Sequence, residues 1–107
     1  MRLRDAVAAN ASAVSSLQRQ HDDILAASES SNADDEHDPD GATIAFERAQ
    51  VAALLQQARR TGTELERALE RLQHGRYGNC ERCGEPIGVE RLAARPSAST
   101  CISCASV

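Results

Sequence analysis

Lysine and tryptophan are missing from this 107-residue chain, and phenylalanine, tyrosine and methionine occur once each. So few aromatics exclude a large aromatic core, and they leave no row of rings on which bases of a single strand would stack. All twelve basic residues are Arg, a bias of the kind a GC-rich bacterial genome imposes, and sixteen acidic residues bring the net charge to −4. An acidic balance argues against duplex DNA as the main partner, because neutralising phosphates needs a basic face. No run approaches the roughly 20 apolar residues of a membrane span, and the opening "MRLRDAVAANASAVSSLQRQ" has no sustained apolar core of a signal peptide. A cytoplasmic protein without membrane attachment is expected. Cysteine is absent from the first 79 residues, and all four fall between Cys80 and Cys104. In a reducing compartment such cysteines point to metal binding rather than to disulfides.

What remains is Ala, Leu and Val within a hydrophobic fraction of 41%, a composition suited to helices packed along narrow seams. From Leu3, apolar residues recur at Val7, Val14, Leu17 and Ile24, with Asn10, His21 and Ser28 filling the other positions of a heptad seam. The pattern predicts a helix over about residues 2–29, roughly 42 Å long. The stretch "SESSNADDEHDPDG" then breaks it: thirteen of its fourteen residues are polar, charged, Gly or Pro. A polar tip is expected over about residues 30–41. Ile44, Val51, Ala58, Leu65 and Leu72 follow at seven-residue intervals, with Leu55, Gly62 and Leu69 between them. They predict a second helix over about residues 42–73, roughly 48 Å long. Asp40 stands where a capping carboxylate belongs, and Gly75 where a helix-ending glycine belongs. The fold class is therefore mainly α: residues 1–74 form a long antiparallel coiled-coil hairpin, followed by a small unit over residues 75–107. Hairpin seams of this type are commonly packing and nothing more, and His21 reads as a polar interruption of one.

That last unit holds Cys80-x2-Cys83 and, seventeen residues on, Cys101-x2-Cys104. Each pair sets two thiolates on one turn, and two pairs complete a tetrahedral shell for one structural Zn2+. Four thiolates leave no open position for hydrolytic chemistry, and no nucleophile–base pair accompanies them, so an enzyme is not expected. Spacing alone also admits an iron–sulfur cluster; a thioredoxin-like redox pair lacks its βαβ setting. Gly84 follows the second cysteine, where a knuckle needs positive φ. Tyr77, Ile87, Val89, Leu92 and Ile102 are expected to pack beneath the metal. A ribbon with so few apolar residues folds because structural zinc contributes on the order of 10 kcal/mol.

The segment "YGNCERCGEPIGVERLAARPSASTCISC" resembles the C4 zinc finger of the DksA/TraR family of bacterial RNA-polymerase-binding regulators. The shared features are aromatic-Gly-x-Cys-x2-Cys-Gly, then Ile, then Arg-Leu-x-Ala-x-Pro, then Cys-x2-Cys, with a long helical pair in front. The resemblance implies a monomeric regulator without catalysis. Its hairpin would enter the polymerase secondary channel and bring acidic tip residues near the active centre. The family's tip pattern, Asp-x-x-Asp-x-Ala, falls here on His37, Asp40 and Ala42, so the first Asp is missing, and Asp38 stands one residue later. Positions that are basic in relatives binding the alarmone ppGpp correspond to Gln57, Glu64 and Ala105, with Arg95 alone basic. This argues against alarmone dependence. Arg76, Arg91 and Arg95 are candidate polymerase contacts near the finger, and with Arg82 they make a modest basic patch. The alternative reading is a zinc-ribbon module that binds another protein or a nucleic acid, with no specific DNA sequence.

Overall fold

The computed structural model describes residues 2–30 and 39–106. Four helices follow in order: α1 (Arg2–Ser30), α2 (Pro39–Gln73), α3 (Val89–Ala94) and α4 (Ile102–Ala105). The first two pack as the expected antiparallel hairpin: Leu3 joins Leu65 and Ala68 in one buried cluster, while seven residues on Asn10 lies against Gly62.

Burial follows the heptads. Leu3 is buried, and Val7, Asn10, Val14, Leu17, His21, Ile24 and Ser28 are all half-buried. On α2, Leu55 and Leu65 are buried, and Ile44, Val51, Ala58, Gly62, Leu69 and Leu72 are half-buried. A side chain every three or four residues is what one stripe of a helix can place against a neighbour. Most residues off the stripe are exposed, including Phe46 at 70%.

The second helix starts at Pro39, three residues before the expected boundary, so Asp40 lies inside the first turn and not at the capping position. Proline favours this: its fixed φ suits the first helical position, where its missing N–H would have no partner within the helix. At the other end the expectation for Gly75 holds. With φ of 71° it lets its own N–H reach Leu72 O at 3.1 Å and that of Arg76 reach Arg71 O at 2.8 Å. Those two bonds are the Schellman pair that satisfies the last carbonyls of a helix.

The chain divides into two compact units. One comprises residues 11–59, the part of α1 and α2 toward the polar segment, where Arg59 donates to Gln18 across the hairpin. The other joins residues 1–10 to residues 60–107, so the open end of the hairpin and the cysteine-bearing segment form one body. Within it lie two buried clusters. Leu3, Leu65 and Ala68 are surrounded by Ala6, Val7, Leu69, Leu72 and Tyr77; Cys80, Ile87 and Ala98 are surrounded by Leu92, Cys101 and Cys104. No described helix is long and apolar enough to cross a membrane.

Candidate metal centre

The first knuckle is a short reversal closed by an antiparallel bridge between Asn79 and Pro86. Cys80 N–H donates to Glu85 O at 2.8 Å, Gly84 N–H to Cys80 O at 2.9 Å, and Ile87 N–H to Gly78 O at 2.8 Å. The chain turns tightly enough for these bonds only because Gly84 sits at φ of 78°, the left-handed region expected for it. The second knuckle is built differently. Cys101, in extended conformation, precedes α4, and Cys104 lies on that helix, one turn along. Ala105 N–H closes the turn on Cys101 O at 2.9 Å.

The four ligand sulfurs lie within 4.8 Å of one another, and Cys83 Sγ is 3.7 Å from Cys101 Sγ. Four sulfurs at zinc–thiolate bond length around a tetrahedral ion stand about 3.8 Å apart, so the cluster fits one Zn2+ as it stands. Electrostatics point the same way. Backbone hydrogen bonding from Cys101 leads the causes that draw the Cys80 thiol down to about 6, helped by Cys83 and Arg82 against the effect of burial. Cys101 is drawn down too, first by the backbone of Cys104. Hydrogen bonds with Cys101 and then Cys80 push Cys104 up to about 12. Backbone dipoles thus favour charge on the site, while mutual proximity forbids four thiolates together unless a cation lies between them. Cys80 is buried and Ile87 and Ala98 pack behind it.

Side chains hold this unit against the hairpin end. Tyr77 Oη, beside the hairpin cluster, donates to Pro96 O at 2.8 Å and Arg71 to Ala98 O at 3.3 Å, while within the finger Arg91 Nε donates to Thr100 O at 2.9 Å. Arg71 also faces Glu81 at 3.7 Å, and Arg95 faces Glu64 at 3.8 Å. Every one of these ties ends on the segment between the knuckles or on the first knuckle itself, which explains why metal ligands and hairpin end make one compact body.

The three arginines singled out from the sequence come together. Arg76, Arg91 and Arg95 line one cleft of about 650 Å³, and Arg67 and Arg71 of α2 line it as well. Sequence reasoning missed those two because they look like ordinary polar-face residues of a long helix. The available signal was their four-residue spacing just before the helix-ending glycine. The apolar residues divide. Ile87 is buried and Tyr77 and Leu92 half-buried, as expected, but Val89 is 79% and Ile102 72% exposed, contrary to expectation. The inner cluster needs only one face of this thin layer, and each of those two opens a short helix on the other face. At the tip, Asp40 and Ala42 fall in the first turn of α2, whereas His37 and Asp38 lie outside the described residues.

A zinc-finger family described as prokaryotic dksA/traR C4-type zinc finger matches residues 75–107, a span that takes in all four cysteines and both knuckles. Residues 75–107 are similar to that zinc-finger family. The ion is therefore one structural Zn2+ held by a four-cysteine set. The chain is similar to the RNA polymerase-binding transcription factor DksA of Caulobacter vibrioides, 40% identical over 60 residues, which cover 56% of this chain and 42% of that protein. The protein of the same name from Haemophilus influenzae is 46% identical over 41 residues, covering 38% of this chain and 28% of the relative. The chain thus spans less than half the length of the curated relatives it matches. Among solved structures, transcription factor DksA2 from Pseudomonas aeruginosa superposes with a TM-score of 0.64 and 29% identity over 97% of this chain and 78% of that one. The likeness in fold covers more of the chain than these curated sequence matches do.

Proposed function

We propose that this chain is a transcription regulator that binds RNA polymerase, its hairpin entering the secondary channel and its zinc finger serving as a structural base. The observation that carries the reading is the union of a DksA-like hairpin with a DksA/TraR finger, spanning 97% of the chain in one structural likeness. The arginine cleft supports it: five of the twelve basic residues of a net acidic protein line one hollow beside the finger, against three acidic ones, Glu64, Glu70 and Glu81. Such a cleft steers and orients an acidic protein surface. Asp40, with Ala42 behind it and Asp38 and His37 before it, is the proposed working end near the polymerase active centre. We place the protein in the cytoplasm, as a monomer, independent of ppGpp. Arg95, the one basic residue at the alarmone positions, has Glu64 beside it at 3.8 Å.

The test is retention of core RNA polymerase by the tagged, zinc-loaded protein. Wild-type protein should retain it, and deletion of residues 31–42 or loss of the knuckles should reduce retention. Binding that survives both changes overturns the secondary-channel reading. Within that reading Asp40→Asn leaves polymerase binding near wild type and abolishes the effect on a promoter assay. Loss of both together reduces Asp40 to a helix-end residue.

A further inference from the structure

The two stripes that close the hairpin cease to match in polarity toward the polar segment. Within the unit of residues 11–59, the stripe of α1 runs Val14, Leu17, His21, Ile24 and Ser28, in steps of three, four, three and four. The stripe of α2, followed backward, runs Ala58, Leu55, Val51, Arg48 and Ile44, in the same steps. Taken in antiparallel order, the two make five layers. Val14 is level with Ala58 and Leu17 with Leu55, apolar on both sides. Beyond them His21 is level with Val51, Ile24 with Arg48 and Ser28 with Ile44. Each of these three layers sets one polar residue against one apolar residue.

Burial follows that division. Leu55 is buried at 6% exposure, and Arg59 donates to Gln18 beside its layer. Among the described residues of α1 after Leu17 and of α2 before Leu55, none is buried, and Arg48 is exposed although it holds a position on the stripe. Polar residues at seam positions cost a coiled coil stability. A helix in a protein owes most of its stability to the apolar face it packs. Three layers that pack only half of that face offset little of the entropy lost in ordering their backbone.

We infer that the distal part of the hairpin, residues 21–29 and 42–51, opens and closes as a unit of its own, with the Leu17–Leu55 layer as the stop. In the open form the three mixed layers part and their helical turns exchange with coil, while the packing behind the stop is kept. Such an opening needs little free energy, because few buried contacts are lost. Ala42, part of the proposed working end, opens this segment in the first turn of α2. A partner that encloses this end selects the closed form, so binding orders the distal layers. That last step rests on the polymerase reading above; the opening itself does not.

The experiment is native-state hydrogen exchange of the zinc-loaded full chain, read by mass spectrometry. Amides of residues 22–29 and 46–51 should be at least about a hundredfold less protected than those of residues 63–72, and residues 56–59 should side with the protected set. His21→Leu combined with Arg48→Leu makes two of the three layers apolar on both sides. It should raise distal protection by about tenfold or more and leave residues 63–72 unchanged. Gln20→Leu, at an exposed position off the stripe and of similar helix propensity, is the control and should change distal protection by less than about twofold. Saturating core RNA polymerase should raise distal protection at least about tenfold, and by more than it raises that of residues 63–72. Uniform protection along both helices overturns independent opening. No gain in the double variant, or an equal gain from Gln20→Leu, overturns the mixed layers as its cause. Distal protection that polymerase leaves unchanged overturns the coupling to binding. Failure to bind polymerase at all overturns the proposed function and leaves the opening standing on the free protein.

Discussion

Two glycines with opposite reasons to be glycine separate backbone from packing at the scale of single residues. Gly84 has φ of 78° and nothing within 4 Å of where a Cβ would stand, so replacing it tests conformation alone. Gly84→Ala should cost about 1–2 kcal/mol in the left-handed region, weakening zinc affinity roughly five- to thirty-fold in competition with a chelator. Gly84→Asn, which tolerates that region, should recover most of the loss. Gly62 lies inside α2, where Ala normally gains about 1 kcal/mol, but its Cβ would come to 2.9 Å from Asn10 Nδ2. The end of the Asn10 side chain must shift, so Gly62→Ala should show a reduced gain alone and a larger gain in an Asn10→Ala background, a coupling of at least about 0.5 kcal/mol in a thermal-unfolding cycle. Tyr77, the only tyrosine, is the third probe. Burial raises its phenol, with Arg71 pulling the other way. A folded pKa above the unfolded value means that the stability it confers is complete below about 10 and is lost as pH rises through the folded pKa. Alkaline absorbance titration should find the phenol above its ordinary value in zinc-loaded protein and at that value after chelation.

At the scale of elements, burial ranks substitutions that look alike in the sequence. Leu65→Ala, at a buried seam position, should cost about 2–4 kcal/mol. Phe46→Ala removes a larger side chain, 70% exposed, and should change the melting free energy by less than about 0.5 kcal/mol. Equal effects would mean that the hairpin seam is not where the heptads put it. The helices were legible because a stripe recurring every three or four residues has one geometric solution, and Asn10, His21 and Ser28 were read onto the stripe despite being polar. The metal site was legible for a similar reason: two C-x2-C turns and a glycine leave few other ways to fold. Val89 and Ile102 were misread because an apolar residue predicts burial only where hydrophobic packing drives the fold. In a layer held by four metal–sulfur bonds that link is broken. The start of α2 was misplaced because Asp40 satisfies the capping preference, and the competing preference of Pro39 for a first turn could not be weighed against it from the sequence.

For the whole molecule, the decisive fact is that residues 1–10 and residues 60–107 form one unit, although half the chain separates them. The metal alone would hold the finger and leave the hairpin end to its seam. Here Leu3 is almost completely buried against Leu65 and Ala68, Tyr77 packs on that cluster, and its hydroxyl reaches Pro96 O between the knuckles. Energy lost at the start of α1 should accordingly be felt at the zinc. Leu3→Ala should destabilise the unit by about 2–4 kcal/mol. It should also weaken zinc binding severalfold in chelator competition, although Leu3 precedes the first cysteine by 77 residues. Leu55→Ala, an equally buried leucine in the other unit, is the control: it should lower the melting temperature and leave zinc affinity unchanged. If both variants shift zinc affinity alike, stability is shared along the whole hairpin. If neither does, the finger is held by its metal alone, and the bond from Tyr77 transmits nothing.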